Sequence, residues 1–301
     1  MNQEVNFNSS EAKNTINSIA NKNAANIDTD GDGILDEDDD YPNDSERAFK
    51  LFMPSANERG TIAFEDLWPS TGDYDFNDVA FSYQATVFLN ADNLAIGFDF
   101  NYKVIENRAG SYNGIGFEIE GLVPSQIESV TEPILTFDIV SLNPNGTEAG
   151  QENAVIILTD AIRNTRVGSD FISRTISVKF VSPIETSVLG VAPFNPFLIA
   201  NLHSNTEVLE RVRNHEVHLP LMKLTSLGVP SSGKDDSDGN YISESGYPWG
   251  IHIIADIAVP KDKIAITDAY NFFGAWAESG GTEFQNWYTD EAGNRNESLL
   301  K

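Results

Sequence analysis

The sequence predicts a mainly β protein, an antiparallel β-sandwich for which a jelly roll is one candidate topology. Residues 79–89 and 96–104 each alternate large apolar side chains with small or polar ones, which is typical of strands with one buried face. The sequence Asn-Ala-Asp-Asn at 90–93 supplies turn residues between the two runs. We therefore expect these runs to form an antiparallel hairpin.

Further apolar runs, separated by clusters of glycine, proline and asparagine, predict seven more strands. These runs lie at residues 115–120, 134–140, 155–159, 175–182, 197–200, 216–219 and 249–259. The pattern of many short strands and few helices favours a β-sandwich.

One apolar stripe predicts a short helix in the C-terminal region. Its members stand at i, i+3, i+4 and i+7, and they are Ala269, Phe272, Phe273 and Trp276. Thr267 or Asp268 is suited to cap the start of this helix, and Gly280 is suited to end it. The tryptophans, Trp68 and Trp287 among them, could line a platform for sugars, but we expect them to lie in the core.

The chain divides into three predicted parts. Residues 1–26 are rich in Asn, Ser and Lys and predict a flexible tether, residues 27–47 form an acidic module, and residues 48–301 form the β-sandwich. Residues 1–26 contain no apolar signal core, so we expect that any export signal is missing from this chain or was removed. No run approaches the roughly 20 apolar residues that a membrane-spanning helix needs.

The charge balance restricts the partners. The chain contains 46 Asp and Glu residues against 19 Lys and Arg residues, a formal net charge of −27. Such a surface repels phosphate backbones and anionic lipids, which argues against nucleic acid and membrane-surface partners. The chain has no cysteine, which excludes disulfides, thiolate zinc sites and thiol nucleophiles.

The acidic module has the spacing of a calcium-binding loop. Its sequence from residue 28 is DTDGDGILDEDDDYPND, and loop positions 1, 3, 5, 9 and 12 are Asp28, Asp30, Asp32, Asp36 and Asp39. Calcium prefers about six to eight oxygen ligands, and alternating aspartates can place them around one point. Gly33 permits the sharp turn at position 6, and Ile34 would contribute its backbone carbonyl at position 7. The alternative is a solvated acidic linker.

This module resembles a thrombospondin type 3 repeat more than an EF-hand. Asp39 stands where an EF-hand has Glu, and no flanking helices are evident, since Pro42 follows too closely. The resemblance implies that such repeats can hold a second ion. Its ligands would come from Asp36, Asp38, Asp40 and Asp44.

A second acidic segment, residues 62–78, predicts another cation site. It reads IAFEDLWPSTGDYDFND. Strand-like alternation would place Asp73, Asp75 and Asn77 on one face and the rings of the segment on the other. Asp66 or Glu65 could close the oxygen cage, and Asp78 lies at its end. The alternative is a loop whose carboxylates cap backbone amides.

The run FEDLWPSTGDYDFNDV resembles the signature of the LruC-domain family of bacterial envelope proteins. Similar blocks follow at 145–158, 193–199, 216–220, 247–253 and 269–288. The resemblance covers roughly residues 55–300 and implies a β-rich fold, export, and display at the cell surface in association with the outer membrane. It implies no reaction and no catalytic residues.

Three functions stay open at this stage. The first is a calcium-binding adhesion or ligand-binding module whose partner is an extracellular glycan or an envelope protein. The second is a calcium-dependent polysaccharide hydrolase with carboxylate acid and base groups, and the third is a structural spacer. A zinc-protease motif at His215 and His218 is rejected, because their spacing is three residues in a predicted strand. Asp235, Asp236 and Asp238 predict an exposed loop.

Overall fold

Alternating apolar residues pair the strands into two antiparallel sheets that face each other across a shared core. The structure is a computed structural model that describes residues 27–70, 72–200, 212–231 and 240–301. In chain order its strands and helices are β1 (Phe49–Met53), β2 (Gly60–Phe64), β3 (Val79–Leu89), β4 (Ala95–Glu106), β5 (Gly114–Ile119), β6 (Ile127–Val130), β7 (Ala154–Thr159), β8 (Arg166–Val167), β9 (Asp170–Phe171), β10 (Arg174–Ile184), α1 (Thr186–Leu189), β11 (Asn195–Ile199), β12 (Glu216–His218), β13 (Gly250–Ile253), α2 (Ile266–Ala269) and α3 (Phe273–Glu278). Residues 1–26 and the acidic loop at 235–238 lie outside the described residues.

The larger sheet has seven strands and the smaller sheet has four. The larger sheet has the order β13-β2-β3-β4-β10-β6, and β1 pairs with the second half of β3. The smaller sheet has the order β12-β11-β5-β7, and β8 and β9 form a separate ribbon. From β4 to β7 the chain changes sheet at each strand. The jelly roll, the candidate topology from the sequence, has eight strands in two Greek keys, fewer than the eleven strands of these two sheets.

Aromatic side chains from both sheets meet in the core, which confirms the predicted β-sandwich. Phe100 of β4 lies 4.8 Å from Phe117 of β5, measured between ring centroids, and Phe98 lies 6.3 Å from the same ring. Ile156 and Leu198 of the smaller sheet are buried in this cluster. No helix in the described parts of the chain is long and apolar enough to cross a membrane.

The predicted hairpin is confirmed. β3 and β4 pair along most of their length, with Val87 opposite Phe98. The Asn90 side chain accepts hydrogen bonds from the backbone N–H groups of Asp92 and Leu94, and this closes the turn. The local pattern was sufficient here because the turn and both strands are contiguous in sequence.

Two predicted strands are wrong in whole or in part. Residues 134–140 form no strand; Ile134 makes one isolated bridge to Thr159, and the Asp160 carboxylate instead binds the backbone N–H groups of Thr136 and Phe137. The strand predicted over 249–259 is limited to β13. After it, the chain turns, and the Thr61 hydroxyl donates to the carbonyl of Ala255.

The predicted helix is divided into α2 and α3. Tyr270 has an extended backbone and pairs with Arg295, and this pairing interrupts the helical hydrogen bonds. The apolar stripe still serves packing, since Ala269 and Phe273 are fully buried against the outer face of β2, β3 and β13, where Trp287 is buried too. Trp68 and Trp249 are buried as well, so the expected core role of the tryptophans is confirmed for these three.

His252 on β13 generates a prediction about pH. Its Nε2 lies 2.9 Å from the Tyr83 hydroxyl, and burial lowers the pKa of His252 to about 4. Because this folded value lies below the unfolded value, its contribution is fully present above about pH 6.5 and is lost as the pH falls through 4. We expect wild type to lose about 2 kcal/mol more than His252→Gln between pH 7 and pH 4. Urea unfolding of both proteins at each pH measures the difference, and equal losses would contradict it.

Candidate metal centre

Three carboxylates of the N-terminal loop converge as the spacing predicts. Oxygen atoms of Asp28, Asp30 and Asp32 all lie within 4.8 Å of one another. The Asp28 carboxylate is held in place because it accepts hydrogen bonds from the backbone N–H groups of Gly31 and Gly33. Both glycines have positive φ, at 79° and 97°, so a side chain at either position would be strained. The loop is therefore shaped to turn these three carboxylates inward.

Two oxygens in this loop are buried and have no hydrogen-bond donor within the described chain. They are Oδ2 of Asp32 and Oδ2 of Asp39. Their partner oxygens are satisfied: Asp32 Oδ1 accepts from the Ile34 N–H at 2.8 Å, and Asp39 Oδ1 accepts from the Tyr41 N–H at 2.6 Å. A buried carboxylate oxygen without a donor costs free energy unless a cation compensates it. These two residues hold predicted positions 5 and 12 of the calcium loop.

Asp36 takes a different local role from the other predicted ligands. Its two oxygens accept from the backbone N–H and the hydroxyl of Thr29, at 2.8 and 2.7 Å. Its own N–H donates to the carbonyl of Ile27, so Asp36 draws the two ends of the loop together. Ile34 is half-buried, as expected for a side chain that docks on the protein.

The quartet proposed for a second ion is not brought together. Asp38 and Asp40 are exposed, and Asp40 lies 3.4 Å from the Lys50 ammonium. Asp44 binds the Arg47 guanidinium, and this hydrogen bond holds the pKa of Asp44 below its usual range. Within the described residues, two groups of three acidic side chains converge. Neither group contains any of these four aspartates.

The loop packs on the sandwich. The Asp44 N–H donates to Asp30 Oδ2 at 2.7 Å, which ties the end of the acidic module to the carboxylate cluster. The Tyr41 ring contacts Phe88 of β3 edge-on at 6.1 Å. The guanidinium of Arg47 lies 4.6 Å above the Tyr41 ring. The acidic module is therefore in direct contact with the end of β3.

The second group consists of Glu65, Asp73 and Asp75, whose carboxylate oxygens also lie within 4.8 Å of one another. The strand-like alternation predicted for this segment is wrong. Tyr74 and Phe76 have φ of 55° and 50°, the left-handed region that large residues rarely occupy. Their N–H groups donate to the two oxygens of Glu65, which is the physical reason for the turn.

Asn77 is oriented away from this group. Its side-chain amide is directed to the Pro260 carbonyl at 3.4 Å, while Asp75 Oδ2 accepts from the Lys263 N–H. Asp73 is exposed and could reach a ligand from solvent, whereas Glu65 and Asp75 are buried. The structure thus brings Glu65 together with Asp73 and Asp75. The sequence had offered Glu65 only as an alternative to Asp66.

Asp66 and Asp78 form a carboxyl pair next to this group. Asp78 Oδ2 accepts from the Asp66 N–H at 2.9 Å, and the Asn113 amide donates to Asp66 Oδ2 at 2.8 Å. Burial, together with the charges of Asp66 and Glu65, raises the pKa of Asp78 well above its usual range. Burial also raises the pKa of Glu65 to about 8. In the described chain no Lys or Arg lies within ion-pair distance of these groups, so hydrogen-bond donors, protons or a cation must stabilise them.

One buried charge network was not predicted. Arg213 binds both oxygens of Glu148 and one oxygen of Glu216. His218 Nε2 lies 2.9 Å from Glu216. Burial opposes ionisation of Glu216, yet His218 and Arg213 lower its pKa to about 2. Glu148 and Arg213 are 65 residues apart, and no local pattern in the sequence links them.

Comparison with known proteins places the chain in a family. Residues 93–288 match the family described as "Domain of unknown function (DUF4842)". The chain belongs to the DUF4842 family. The match begins inside the β3–β4 turn, so the DUF4842 region contains neither the aspartate loop nor the Glu65 group.

A solved structure shares the fold of this DUF4842 protein. It is described as a "Putative lipoprotein" from Bacteroides ovatus, with a TM-score of 0.53 and 15% sequence identity over 84% of this chain and 76% of that one. No curated protein matches the sequence. These matches support neither the LruC-domain resemblance nor the thrombospondin type 3 resemblance, and both stay predictions.

The Asp66–Asp78 pair generates a testable prediction. The side-chain amide of Asp78→Asn can reproduce a protonated Asp78, because it can donate to Asp66 and still accept from the Asp66 N–H. We expect its melting temperature in chelator at pH 7.5 to equal or exceed that of wild type. Asp78→Ala leaves the Asp66 N–H unpaired and should lose about 1–3 kcal/mol. Thermal unfolding compares the three proteins, and an equally large loss in both variants would show that the pair is not balanced by a proton.

Proposed function

We propose that this protein is a calcium-stabilised binding module displayed on the surface of a bacterial cell. The observation that carries the calcium proposal is the pair of buried oxygens without donors, Asp32 Oδ2 and Asp39 Oδ2. They belong to the loop in which Asp28, Asp30 and Asp32 converge. A cation in that loop would compensate charges that hydrogen bonds leave unpaired.

The ligand chemistry favours calcium over transition metals. The converging groups are carboxylates, and the chain has no cysteine and only four histidines. All-oxygen sites suit hard cations, and a flexible loop of aspartates suits calcium better than the stricter octahedral geometry of magnesium. The Glu65, Asp73 and Asp75 group is the candidate for a second ion, with the neighbouring Asp66–Asp78 pair holding a proton.

Calcium would act on stability and on the order of the loop. A ligand that binds only the folded state stabilises it by about 2.7 kcal/mol at one hundred times its dissociation constant. Extracellular calcium modules bind at about 0.1–1 mM, so the ion would be held outside the cell and released in cytosolic conditions. A net charge of −27 makes such neutralisation valuable to the whole fold.

Asp32→Asn tests the calcium site. It keeps the acceptor for the Ile34 N–H and removes one charge and one candidate ligand. We expect calorimetry to show calcium affinity lowered at least about tenfold, with most of the calcium-induced rise in melting temperature lost. Glu37→Gln is the matched control, because Glu37 is exposed in the same loop and loses the same charge. No heat of calcium binding in wild type, or equal effects of both variants, would end the proposal.

The surface location is supported by the shared fold and by the LruC-domain resemblance. The Bacteroides ovatus protein carries the description of a lipoprotein, a class held at membranes by a lipid. In the bacterium that makes this protein, we expect proteinase K added to intact cells to remove it. A periplasmic control protein should survive the same treatment. Full protection of this protein in intact cells and cleavage only after lysis would contradict surface display.

The hydrolase alternative finds little support at the Glu65 group. Glu65 has the raised pKa of a general acid, but both its oxygens accept backbone hydrogen bonds and it is 1% exposed. Its oxygens also approach those of Asp73 and Asp75 within 4.8 Å, closer than the about 5–9.5 Å that glycosidases use. A binding function therefore accounts for this group better than catalysis does.

A further inference from the structure

A groove with a volume of about 420 Å³ opens beside the Glu65 group, between the segment after β2 and the turn before β13. We call it the aromatic groove. The lining residues that carry the argument are Trp68, Tyr74, Ser243, Ser245, Tyr247 and Trp249. Its volume lies within the range of small-molecule sites, about 300–1,000 Å³.

Four rings form a continuous wall of this groove. Trp68 contacts Trp249 edge-on at 4.8 Å, and Tyr74 lies 5.3 Å from Trp249 and 5.8 Å from Tyr247. The two tryptophans are buried, so they form the base of the wall, while the two tyrosines are half-buried and present part of their rings to the groove. Flat apolar surface of this kind packs against the C–H faces of a ring-shaped ligand.

Trp249 also leaves a hydrogen-bond donor without an acceptor. It is 4% exposed, and its Nε1 has no partner among the described residues. A buried indole N–H usually finds an acceptor, and a ligand oxygen at the base of the groove would supply one. At the rim, Ser245 and Glu244 are exposed and offer a hydroxyl group and a carboxylate to further polar atoms of the ligand.

The charge around the groove selects the class of ligand. Among the described residues that line it there is no Lys or Arg, and it lies in a protein of net charge −27, which disfavours phosphates and acidic sugars. A cation could lie against the tyrosine rings, but it has no lone pair to accept from the Trp249 N–H. A neutral sugar has apolar faces for the rings, oxygens for the indole, and hydroxyl groups for Ser245 and Glu244.

We propose that the aromatic groove binds a neutral saccharide of one or two rings, with the sugar against Tyr74 and Tyr247 and one of its oxygens accepting from Trp249. This inference rests on the proposed binding function and names its ligand class. The wall is continuous with the Glu65 group, because Tyr74 stands between Asp73 and Asp75 and donates its N–H to Glu65. The binding surface and the second candidate ion site are thus built from one segment.

Titration of the whole protein in calcium with four neutral disaccharides tests the proposal. Maltose, cellobiose, lactose and N,N′-diacetylchitobiose serve as probes up to about 20 mM, and tryptophan fluorescence and calorimetry serve as readouts. We expect saturable binding of at least one sugar. Tyr247→Ala removes part of the wall and should weaken binding at least about tenfold, the equivalent of a lost ring contact.

Two further variants keep the test decisive. Ser245→Arg fills the groove from an exposed position without altering the core, so it should abolish binding even if Tyr247→Ala is poorly folded. Phe284→Ala is the control, since Phe284 is an exposed aromatic residue outside the groove and its loss should leave affinity unchanged. No binding of any probe, binding that survives Ser245→Arg, or binding of tetramethylammonium in place of sugars would overturn the proposal. Saccharide binding that persists when calcium binding fails would overturn only the calcium function.

Discussion

A carboxylate buried in this fold needs hydrogen-bond donors, a proton, a basic side chain or a metal ion beside it, and that requirement organises the polar parts of the molecule. The chain has 46 acidic residues and 19 basic ones, so basic side chains cannot balance every carboxylate. Arg213 balances Glu148 and Glu216 at the edge of the smaller sheet. Asp78 is driven toward its protonated form by burial and by Asp66.

In the described part of the chain, no Lys or Arg lies within ion-pair distance of the converging carboxylates of the N-terminal loop. Asp32 and Asp39 each keep one buried oxygen without a donor. Their other oxygens hold backbone amides, so the side chains cannot swing out to solvent without breaking the turn. A bound cation would compensate these oxygens, which is why the calcium proposal depends on them more than on the number of aspartates.

Sequence patterns predicted the fold where the interacting residues are close in the chain. The β3–β4 hairpin followed from alternation and an Asn-rich turn, and the convergence of Asp28, Asp30 and Asp32 followed from their spacing. Prediction failed where distant residues decide the outcome. Pairing of Tyr270 with Arg295 divides the expected helix, and hydrogen bonds to Glu65 turn a segment that reads as a strand.

The same limit explains the unpredicted parts of the candidate sites. The aromatic groove joins residues near position 70 to others near 245, and nothing local in either segment indicates the other. The shared sandwich fold describes the scaffold that brings them together, whereas the DUF4842 match covers only the second of these two segments. The chemistry of each site depends on its individual side chains.

The contact between the acidic loop and β1 has a consequence for self-association. β1 pairs with β3 on one side, and on its other side Asp40 binds the strand, accepting from the Lys50 N–H and donating to the Ala48 carbonyl. Asp40 therefore occupies backbone groups that an intruding strand from another molecule would use, which is a common defence of sheet edges against aggregation. We therefore expect that release of the acidic loop from β1 would expose these backbone groups to pairing with a strand of another molecule.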